Sequence, residues 1–403
     1  MKCVVVVACG ITEEPREDLG GKTPLDVAKT PLLDQMASRG ILGLTRTIPR
    51  GAPSGCEVGA AALLGYDPAH HRIGAAALEA LGLGVTLGPA DVALRASLVT
   101  LDATEDGSEI LGDPLGGRLP PADVGELARD LARAVDSPEI TFVPGVGHRH
   151  LLVWRGGDVE TRTTSPYELV DKPVAGKGPT GSRADVLVMA MARMRAVLAS
   201  HPVCLARRAR AERVPTAVWL WGPAGPASVP ALRDAFGVEG AMRAAVPLAR
   251  GLAIAAGLTL LDVVEASDDA DAVLGAEAAA AVAALTTHDL VVVHLTAADV
   301  AAHAGDAQRK IAAIERLDDA FLGPLLAGLR TMGGDWRVLV AGDHTSSCAT
   351  RTHGPDPVPF CVFTHRDEGK PRGQKRGFSE RDAREQGIFI QDTFTVLDRL
   401  VRH

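Results

Sequence analysis

The chain has 403 residues, which exceeds one typical domain, so two domains are expected. Hydrophobic residues make up 46% of it and charged residues 23%, so it can bury a sizeable core. The formal net charge of -8 argues against nucleic acid as the main partner. No apolar stretch reaches the about 18 uninterrupted residues that a transmembrane helix needs, so we expect no membrane partner either.

Five apolar runs are predicted to be buried strands, with helical patterns between them. The strands are predicted at residues 3–8, 216–221, 289–295, 337–342 and 358–363. The helical patterns lie at residues 24–39, 227–236, 276–286 and 304–329. Strands that alternate with helices of this length indicate an α/β sandwich with a mostly parallel sheet. The first run, CVVVVA, stops at Cys9 and Gly10, as a buried parallel strand does at the catalytic edge of such a sheet.

Residues 95–153 have a different pattern from the rest of the chain. Three strand-like pieces, RASLVTL, ITFVPG and HLLVW, surround one helical stretch near residues 123–135. This arrangement predicts a small α+β domain inserted into the main fold. We place the core at residues 1–88 and 181–403, and the inserted substrate domain at residues 89–180.

The six cysteines lie far apart in a long chain, so a disulfide framework of the secreted type is not expected. The N-terminal apolar run is also too short for a signal peptide, and the sequence therefore predicts a cytoplasmic protein. Four cysteines are predicted to be core residues: Cys3, Cys204, Cys348 and Cys361. Lys310 is predicted to be a surface charge, and the charged stretch 365–385 a solvated loop.

Two aspartates and three histidines that follow predicted strands are the strongest local signal. Asp299 and His303 are four residues apart after the strand 289–295, so one helical turn puts both on one face. Asp343 and His344 close the strand 337–342, and His353 follows nine residues later. The carboxyl ends of parallel strands are where an open α/β sheet places its site. These side chains therefore supply ligands for one divalent ion, or for two ions that share the set.

Six segments of the chain resemble the archaeal-type cofactor-independent phosphoglycerate mutases, which belong to the alkaline-phosphatase superfamily. They are GGKTPLDVAKTPLLDQMASRG, GAPSGCEVGAAALLGYDP, GVGHRHLLVW, WLWGPAG, HLTAADVAAHAGDAQRKIAAIERLD and AGDHTSSCATRTHGPDPVPF, and they follow the order of that family. The resemblance implies an alkaline-phosphatase-like three-layer sandwich with a mostly parallel central sheet and a small inserted substrate domain. It also implies two divalent metals and phosphoryl transfer through a serine that one metal activates.

Carried over position by position, the resemblance assigns metal and substrate residues. The metal ligands are Asp299, His303 and His353 for one ion, and Asp343 and His344 for the other. The contacts to an anionic substrate are Arg95, Arg149 and His150. Four positions depart from the family. Cys9 stands where the family has an Asp ligand, and Cys56 stands where it has the nucleophilic Ser. Ala75 takes the place of a phosphate-binding Arg, and a His that the family has near Pro166 is missing.

The two cysteines leave three interpretations open. Thiolates are soft ligands, so Cys9 and Cys56 with Asp343 and His344 favour a tetrahedral zinc site over a manganese or magnesium site. A metal that lowers the pKa of Cys56 would make it a better nucleophile than a hydroxyl at neutral pH, so it is also the candidate catalytic residue. In the third interpretation both are small buried residues in a site that has lost one metal.

Three functions follow from these observations. The first is a metal-dependent phosphoryl-transfer enzyme that uses one or two Mn or Zn ions on phosphoglycerate or a similar small phospho- or phosphono-carboxylate. The second, which the resemblance to the family suggests and the motifs do not, is a specialised paralogue in phosphonate or phosphinate biosynthesis that transfers or cleaves a different group. The third is a non-catalytic metal-binding descendant. Ala75 and the missing His count against an unchanged mutase, and the five retained ligands count against the third function. The sequence leaves the oligomeric state open.

Overall fold

The computed structural model describes residues 1–262, 269–371 and 377–402. The chain divides into two compact units. Unit 1 consists of Met1–Ile73 and Ser228–His403, and unit 2 is the segment Gly74–Ala227. Unit 2 is therefore longer at both ends than the predicted insertion, residues 89–180. Part of the charged stretch 365–385, residues 372–376, lies outside the described residues.

The strands and helices are numbered in chain order. The strands are β1 Lys2–Ala8, β2 Ile41–Thr45, β3 Val92–Ala103, β4 Glu109–Asp113, β5 Ile140–Val143, β6 Arg149–Trp154, β7 Ala217–Ala224, β8 Gly240–Ala244, β9 Thr259–Leu260, β10 Leu290–Leu295, β11 Trp336–Ala341, β12 Thr345–Ser346, β13 His353–Gly354, β14 Val358–Thr364 and β15 Phe389–Ile390. The helices are α1 Pro24–Val27, α2 Pro31–Arg39, α3 Cys56–Leu63, α4 Ala75–Gly82, α5 Pro121–Val135, α6 Ala184–Ser200, α7 Pro202–Ala209, α8 Leu232–Phe236, α9 Pro247–Ala255, α10 Ala270–Ala284, α11 Ala297–Ala304, α12 Ala307–Arg316, α13 Gly323–Met332, α14 Glu380–Glu385 and α15 Thr395–Arg402. A π-helix, Leu317–Leu322, joins α12 to α13.

Unit 1 is built on one sheet with the strand order β15-β2-β14-β11-β1-β10-β8-β9. The strands from β11 to β9 are parallel to one another, and β14 is antiparallel to both of its neighbours. The predicted α/β class with a mostly parallel sheet is confirmed. The hydrophobic run of β1 is buried on both sides, as expected for the centre of such a sheet.

Helices cover the sheet of unit 1 on both of its faces. Val4 and Val6 of β1 pack in one apolar cluster with Leu33 of α2 and Phe321 of the π-helix. Successive residues of a strand point to opposite faces, and the Cys3 sulfur lies 3.6 Å from the Leu400 carbonyl oxygen of α15. The sheet is thus the middle of three layers, and its carboxyl edge is left open for a site.

Two helical patterns are interrupted where the sequence contains helix-breaking residues. The predicted helix 24–39 is two helices, because Pro31 begins α2 and disfavours helical geometry at Thr30. The pattern 304–329 is split into α12, the π-helix and α13, after α11 ends at Gly305 with φ of 75°.

Unit 2 is an antiparallel sheet, β4-β3-β6-β5, with β7 paired to the other side of β3. The predicted strand 216–221 is β7, so it belongs to this sheet and not to the sheet of unit 1. Leu187 and Met194 of α6 pack in the same cluster as Leu127 of α5, which extends the unit beyond residue 180. Within the described residues no single helix is long and apolar enough to span a bilayer; only α6 and α7 together, bent by 51°, pass on length and composition.

Candidate metal centre

Three neighbouring parallel strands of unit 1 deliver metal-type side chains to one edge of the sheet. Cys9 directly follows β1, Asp299 lies in the first turn of α11 after β10, and Asp343 with His344 follows β11 after Gly342. The strand order β11-β1-β10 makes these three chain ends adjacent. Cys56, at the start of α3, joins them. The predicted strand-end positions therefore meet at one place.

Asp299, His303 and His353 form the first set of donor atoms, which we call the three-residue group. The Nε2 atoms of the two histidines are 2.9 Å apart. The Asp299 carboxylate oxygens lie 3.4 Å from Nε2 of His303 and 3.3 Å from Nε2 of His353. Burial alone would raise the pKa of Asp299, but hydrogen bonds from His303 and then His353 hold it well below the ordinary value. Three donor atoms at these separations can contact one cation.

Hydrogen bonds at the Nδ1 atoms of His303 and His353 fix the orientation of the two rings. Nδ1 of His303 is 2.9 Å from the Arg351 carbonyl oxygen, and Nδ1 of His353 is 3.1 Å from that of Ser54. A carbonyl oxygen only accepts, so Nδ1 carries the proton in both rings. Each Nε2 therefore presents a lone pair when its ring is neutral. Two lone pairs that face each other at 2.9 Å repel unless a cation or proton lies between them, and metal-binding histidines have this backbone support.

Cys9, Cys56, Asp343 and His344 form the second set, the four-residue group, whose donor atoms all lie within 4.8 Å of one another. Tetrahedral zinc, with bonds of about 2.3 Å to sulfur and 2.0–2.1 Å to nitrogen, separates two sulfurs by about 3.8 Å and sulfur from nitrogen by about 3.6 Å. The Cys9 and Cys56 sulfurs are 4.0 Å apart. They lie 3.6 Å and 3.0 Å from Nε2 of His344. The two distances from the Cys9 sulfur are close to this spacing, whereas the Cys56 sulfur lies nearer to His344 than bound zinc would place it.

Cys56 is a member of the four-residue group that also lies close to the three-residue group, because its sulfur is within 4.8 Å of the donor atoms of Asp299 and His353. A hydrogen bond from Cys9, supported by the charge of His344, holds the pKa of the Cys56 thiol well below its ordinary value. The same hydrogen bond raises the pKa of Cys9 well above it. The rings of His344 and His353 are stacked with their centroids 3.8 Å apart, so the two groups are in direct contact. Cys56 is the donor at their junction.

Asp343 and His294 are buried polar residues that need a partner. Both carboxylate oxygens of Asp343 and both ring nitrogens of His294 are buried without a hydrogen bond within the described residues. Nε2 of His294 lies 3.8 Å from Oδ2 of Asp343. Burial would raise the pKa of Asp343, but His344 and then His294 hold it below the ordinary value. A buried, ionised carboxylate whose oxygens have no hydrogen-bond partner fits a cation site. Sequence reasoning missed His294, although an imidazole inside the apolar run DLVVVHL was the available signal.

Two glycines allow the close approaches that the site requires. A Cβ atom on Gly10, where φ is 72°, would lie 2.6 Å from Cα of Asp299. A Cβ atom on Gly59 of α3 would lie 1.8 Å from the Asp343 carbonyl oxygen. Since real Cβ contacts are never so short, only glycine lets α3 bring Cys56 against the end of β11. The spacing of the donor atoms thus depends on residues that carry no side chain.

Lys310 is completely buried beneath the site, so the predicted surface charge is wrong. Its Nζ donates to Oε2 of Glu13 at 2.8 Å and to the carbonyl oxygens of Ser346 and Thr12 at 2.6 Å and 3.3 Å. Burial alone would raise the pKa of Glu13, but the charge of Lys310 holds it below its ordinary value. Periodicity could not reveal this ion pair, because the partners are about 300 residues apart. The four cysteines predicted to be core residues are buried, as expected.

The predicted substrate contacts lie in unit 2. The guanidinium of Arg95 on β3 pairs with the Glu79 carboxylate at 2.7 Å and lies 4.9 Å from the Trp221 ring centre. Arg149 is exposed at the start of β6. His150 is buried, accepts a hydrogen bond from the Gly145 amide, and has its pKa lowered by burial to about 4. His150 is therefore neutral at pH 7 and cannot attract an anion by charge, which weakens the predicted contact.

Known proteins resemble this chain over its whole length. The sequence model of 2,3-bisphosphoglycerate-independent phosphoglycerate mutase matches residues 37–204. A probable mutase of this type from Geobacter sulfurreducens is 36% identical over 402 residues, 100% of both chains. Another from Methanothrix thermoacetophila is 37% identical over 362 residues, 90% of both chains.

Two solved structures share the fold. The PH0037 protein from Pyrococcus horikoshii has a TM-score of 0.77 and 24% identity, covering 99% of this chain and 96% of that one. The cofactor-independent phosphoglycerate mutase from Thermoplasma acidophilum has a TM-score of 0.60 and 25% identity, covering 99% of both chains. With the relatives above, these observations place the chain in the 2,3-bisphosphoglycerate-independent phosphoglycerate mutase family.

Proposed function

We propose that this chain is a metal-dependent phosphotransferase that isomerises phosphoglycerate or acts on a closely similar small phospho- or phosphono-carboxylate. Family membership supports the reaction class and the substrate class. The observation that carries the proposal is the position of the Cys56 sulfur, which belongs to the four-residue group and also lies within 4.8 Å of the donor atoms of Asp299 and His353. A nucleophile at that junction lies where two cations would stabilise a phosphoryl group.

The chain's own residues fit divalent cations. The three-residue group would hold one ion, and Asp343, His344 and Cys9 would hold another. Two thiolates and an imidazole favour zinc in the four-residue group, whereas the carboxylate and imidazoles of the three-residue group suit manganese or zinc. Bound divalent ions supply positive charge for the phosphoryl oxygens and lower the pKa of a neighbouring thiol.

Cys56 would carry the phosphoryl group between two positions of the substrate. Its thiolate attacks phosphorus, an S–P bond forms, the P–O ester bond breaks, and the departing oxygen takes up a proton. In the second half the other hydroxyl loses its proton and attacks phosphorus, and the sulfur leaves as thiolate. Because Cys56 is the first residue of α3, the amide N–H groups of that helix end stabilise the anionic sulfur in both halves.

Metal analysis and kinetics together test this proposal. The purified protein is assayed with 3-phosphoglycerate and Mn, Co or Zn, with 2-phosphoglycerate measured through a coupling enzyme. Cys56→Ser, which restores a hydroxyl nucleophile, should keep part of the activity, and Cys56→Ala should abolish it. Cys348→Ala removes another buried thiol outside both groups and should leave turnover unchanged. Full metal content together with full activity in Cys56→Ala would rule out a nucleophilic Cys56.

Ala75 favours a second candidate function, the transfer or cleavage of a different group in phosphonate or phosphinate biosynthesis. This residue is the first of α4 and adds no positive charge at a position where the resemblance calls for an arginine. A phosphoryl group needs such charge on its oxygens. A protein that retains two metal equivalents, yet converts neither phosphoglycerate isomer, would favour this candidate. A cytoplasmic location, expected from the sequence, is part of either proposal.

A further inference from the structure

Ser346 lies between the two donor groups and contacts both. Its hydroxyl oxygen is 2.7 Å from Oδ1 of Asp299, a member of the three-residue group. The same oxygen is 3.1 Å from Nδ1 of His344, a member of the four-residue group. In the β12–β13 pair, Ser346 is also the register partner of His353. Neither the resemblance nor the strand-end pattern pointed to this residue.

The direction of these hydrogen bonds follows from what each group can donate. A hydroxyl has one proton and can also accept, whereas an ionised carboxylate only accepts. The Ser346 proton must therefore point to Asp299, so the ring nitrogen of His344 is the donor in the other contact. The Thr345 carbonyl oxygen, 3.2 Å from the same Nδ1, also requires a proton there. Nδ1 thus carries the proton, and Nε2 of His344 faces the Cys56 sulfur.

Hydrogen bonds fix the backbone of Ser346, so its hydroxyl keeps its position between Asp299 and His344. Its amide donates to the Thr12 carbonyl oxygen at 3.0 Å, and its carbonyl oxygen accepts from the buried Lys310 ammonium. The side chain is almost completely buried, so water does not replace it. We infer that Ser346 is a positioning residue that couples the two metal sites: it orients Asp299 for one cation and sets the His344 tautomer for the other. This inference rests on the metal sites of the proposed function.

A matched pair of substitutions tests the hydroxyl alone. Thr and Val have nearly the same shape and both suit a strand, so Ser346→Thr keeps the hydroxyl and Ser346→Val removes it at equal bulk. Metal-stripped proteins are titrated with Zn²⁺ and with Co²⁺. The absorption of thiolate-bound Co²⁺ reports the four-residue group, and the total number of equivalents reports both groups. Ser347→Ala, which removes a neighbouring hydroxyl that contacts Glu14, is the control.

We expect Ser346→Val to weaken binding of both equivalents by about 10–100-fold relative to Ser346→Thr, the usual effect of removing a residue that supports metal ligands. Ser347→Ala should bind as the unmodified protein does. Equal affinities in the Thr and Val variants would overturn the inference, as would a loss confined to one equivalent. Unmodified protein that binds no metal would overturn both this inference and the proposed function. An effect of Val on binding without mutase turnover would leave the coupling intact and reject only the proposed reaction.

Discussion

The buried pair of Lys310 and Glu13 gives the most direct test of how the site is supported. Lys310→Met removes the ammonium but keeps the length of the side chain. The Glu13 carboxylate would then stay buried, with the Arg16 guanidinium at 2.9 Å and the Cys348 amide at 2.8 Å as its remaining partners. Breaking a buried pair by removing one partner costs about 3–5 kcal/mol. Because Arg16 compensates part of the charge, we expect a loss near 3 kcal/mol.

The free energy of unfolding is measured in urea by circular dichroism, and hydrogen exchange in peptides that cover β1 and β11 assigns the change to unit 1. The double variant Lys310→Met with Glu13→Gln should recover part of the loss, since the two sites are coupled by about 1–3 kcal/mol. Lys370→Met is the matched control, because it breaks a pair with Asp367 whose lysine is 58% exposed. That substitution should cost less than about 1 kcal/mol.

The pH dependence of the free energy of unfolding provides an independent check, because the lowered pKa of Glu13 determines the direction of the change. The pKa of Glu13 is lowered on folding, so its contribution to stability is present above its unfolded pKa near 4.5 and is lost as pH falls through the lower folded value. Without Lys310 this contribution becomes smaller, because only Arg16 and the Cys348 amide remain among the described partners of the carboxylate, so the variant should lose less stability than the unmodified protein between pH 6 and pH 3. A cost of Lys310→Met no larger than that of Lys370→Met would refute the reasoning.

Three further outcomes are expected. Replacing Asp299, His303 and His353 together by Ala should remove about one metal equivalent, read by elemental analysis of purified protein; unchanged content would disprove the three-residue group. Burial raises the pKa of Glu380 to about 7, so its stabilising effect is present below pH 4.5 and is lost as pH rises through 7. Glu380→Gln should therefore gain about 2 kcal/mol over the unmodified protein between pH 5 and pH 8 in urea unfolding. His294→Leu should weaken Zn²⁺ binding in titrations about 10-fold or more, as loss of a supporting residue does, and an unaltered Kd would contradict a role for this histidine.

Much of the fold and most of the donor atoms could be predicted, because their signals are local. An uninterrupted apolar run that stops at Cys9, or at Asp343, marks a buried strand and its open end within a few residues. The split of the helix 24–39 was also encoded locally, in Pro31, but helical periodicity on both sides concealed it. The antiparallel direction of β14 could not be predicted, because nothing within a strand records which way its neighbours run.

The residues that support the donor atoms could not be predicted for a related reason. Lys310, Ser346 and His294 each look ordinary in the sequence, and their importance comes from partners far away in the chain. Unit 2 extends beyond residue 180 because α6 packs against α5, and this is a tertiary contact between two helices that length and periodicity do not specify. Local patterns thus located the predicted donor residues, whereas long-range contacts determine how their side chains are oriented.

The two units differ in when they can fold during synthesis. All strands of unit 2 lie within one continuous segment, so it can form as soon as residue 227 has left the ribosome. In unit 1, β1 is made first, but its two neighbours are β10 and β11, which begin at Leu290 and Trp336. At about 5–20 residues per second, the strand waits roughly 15–60 s for them. An exposed run of four valines is prone to aggregate during that time, so this chain should depend on chaperones that shield its N-terminus until translation is nearly complete.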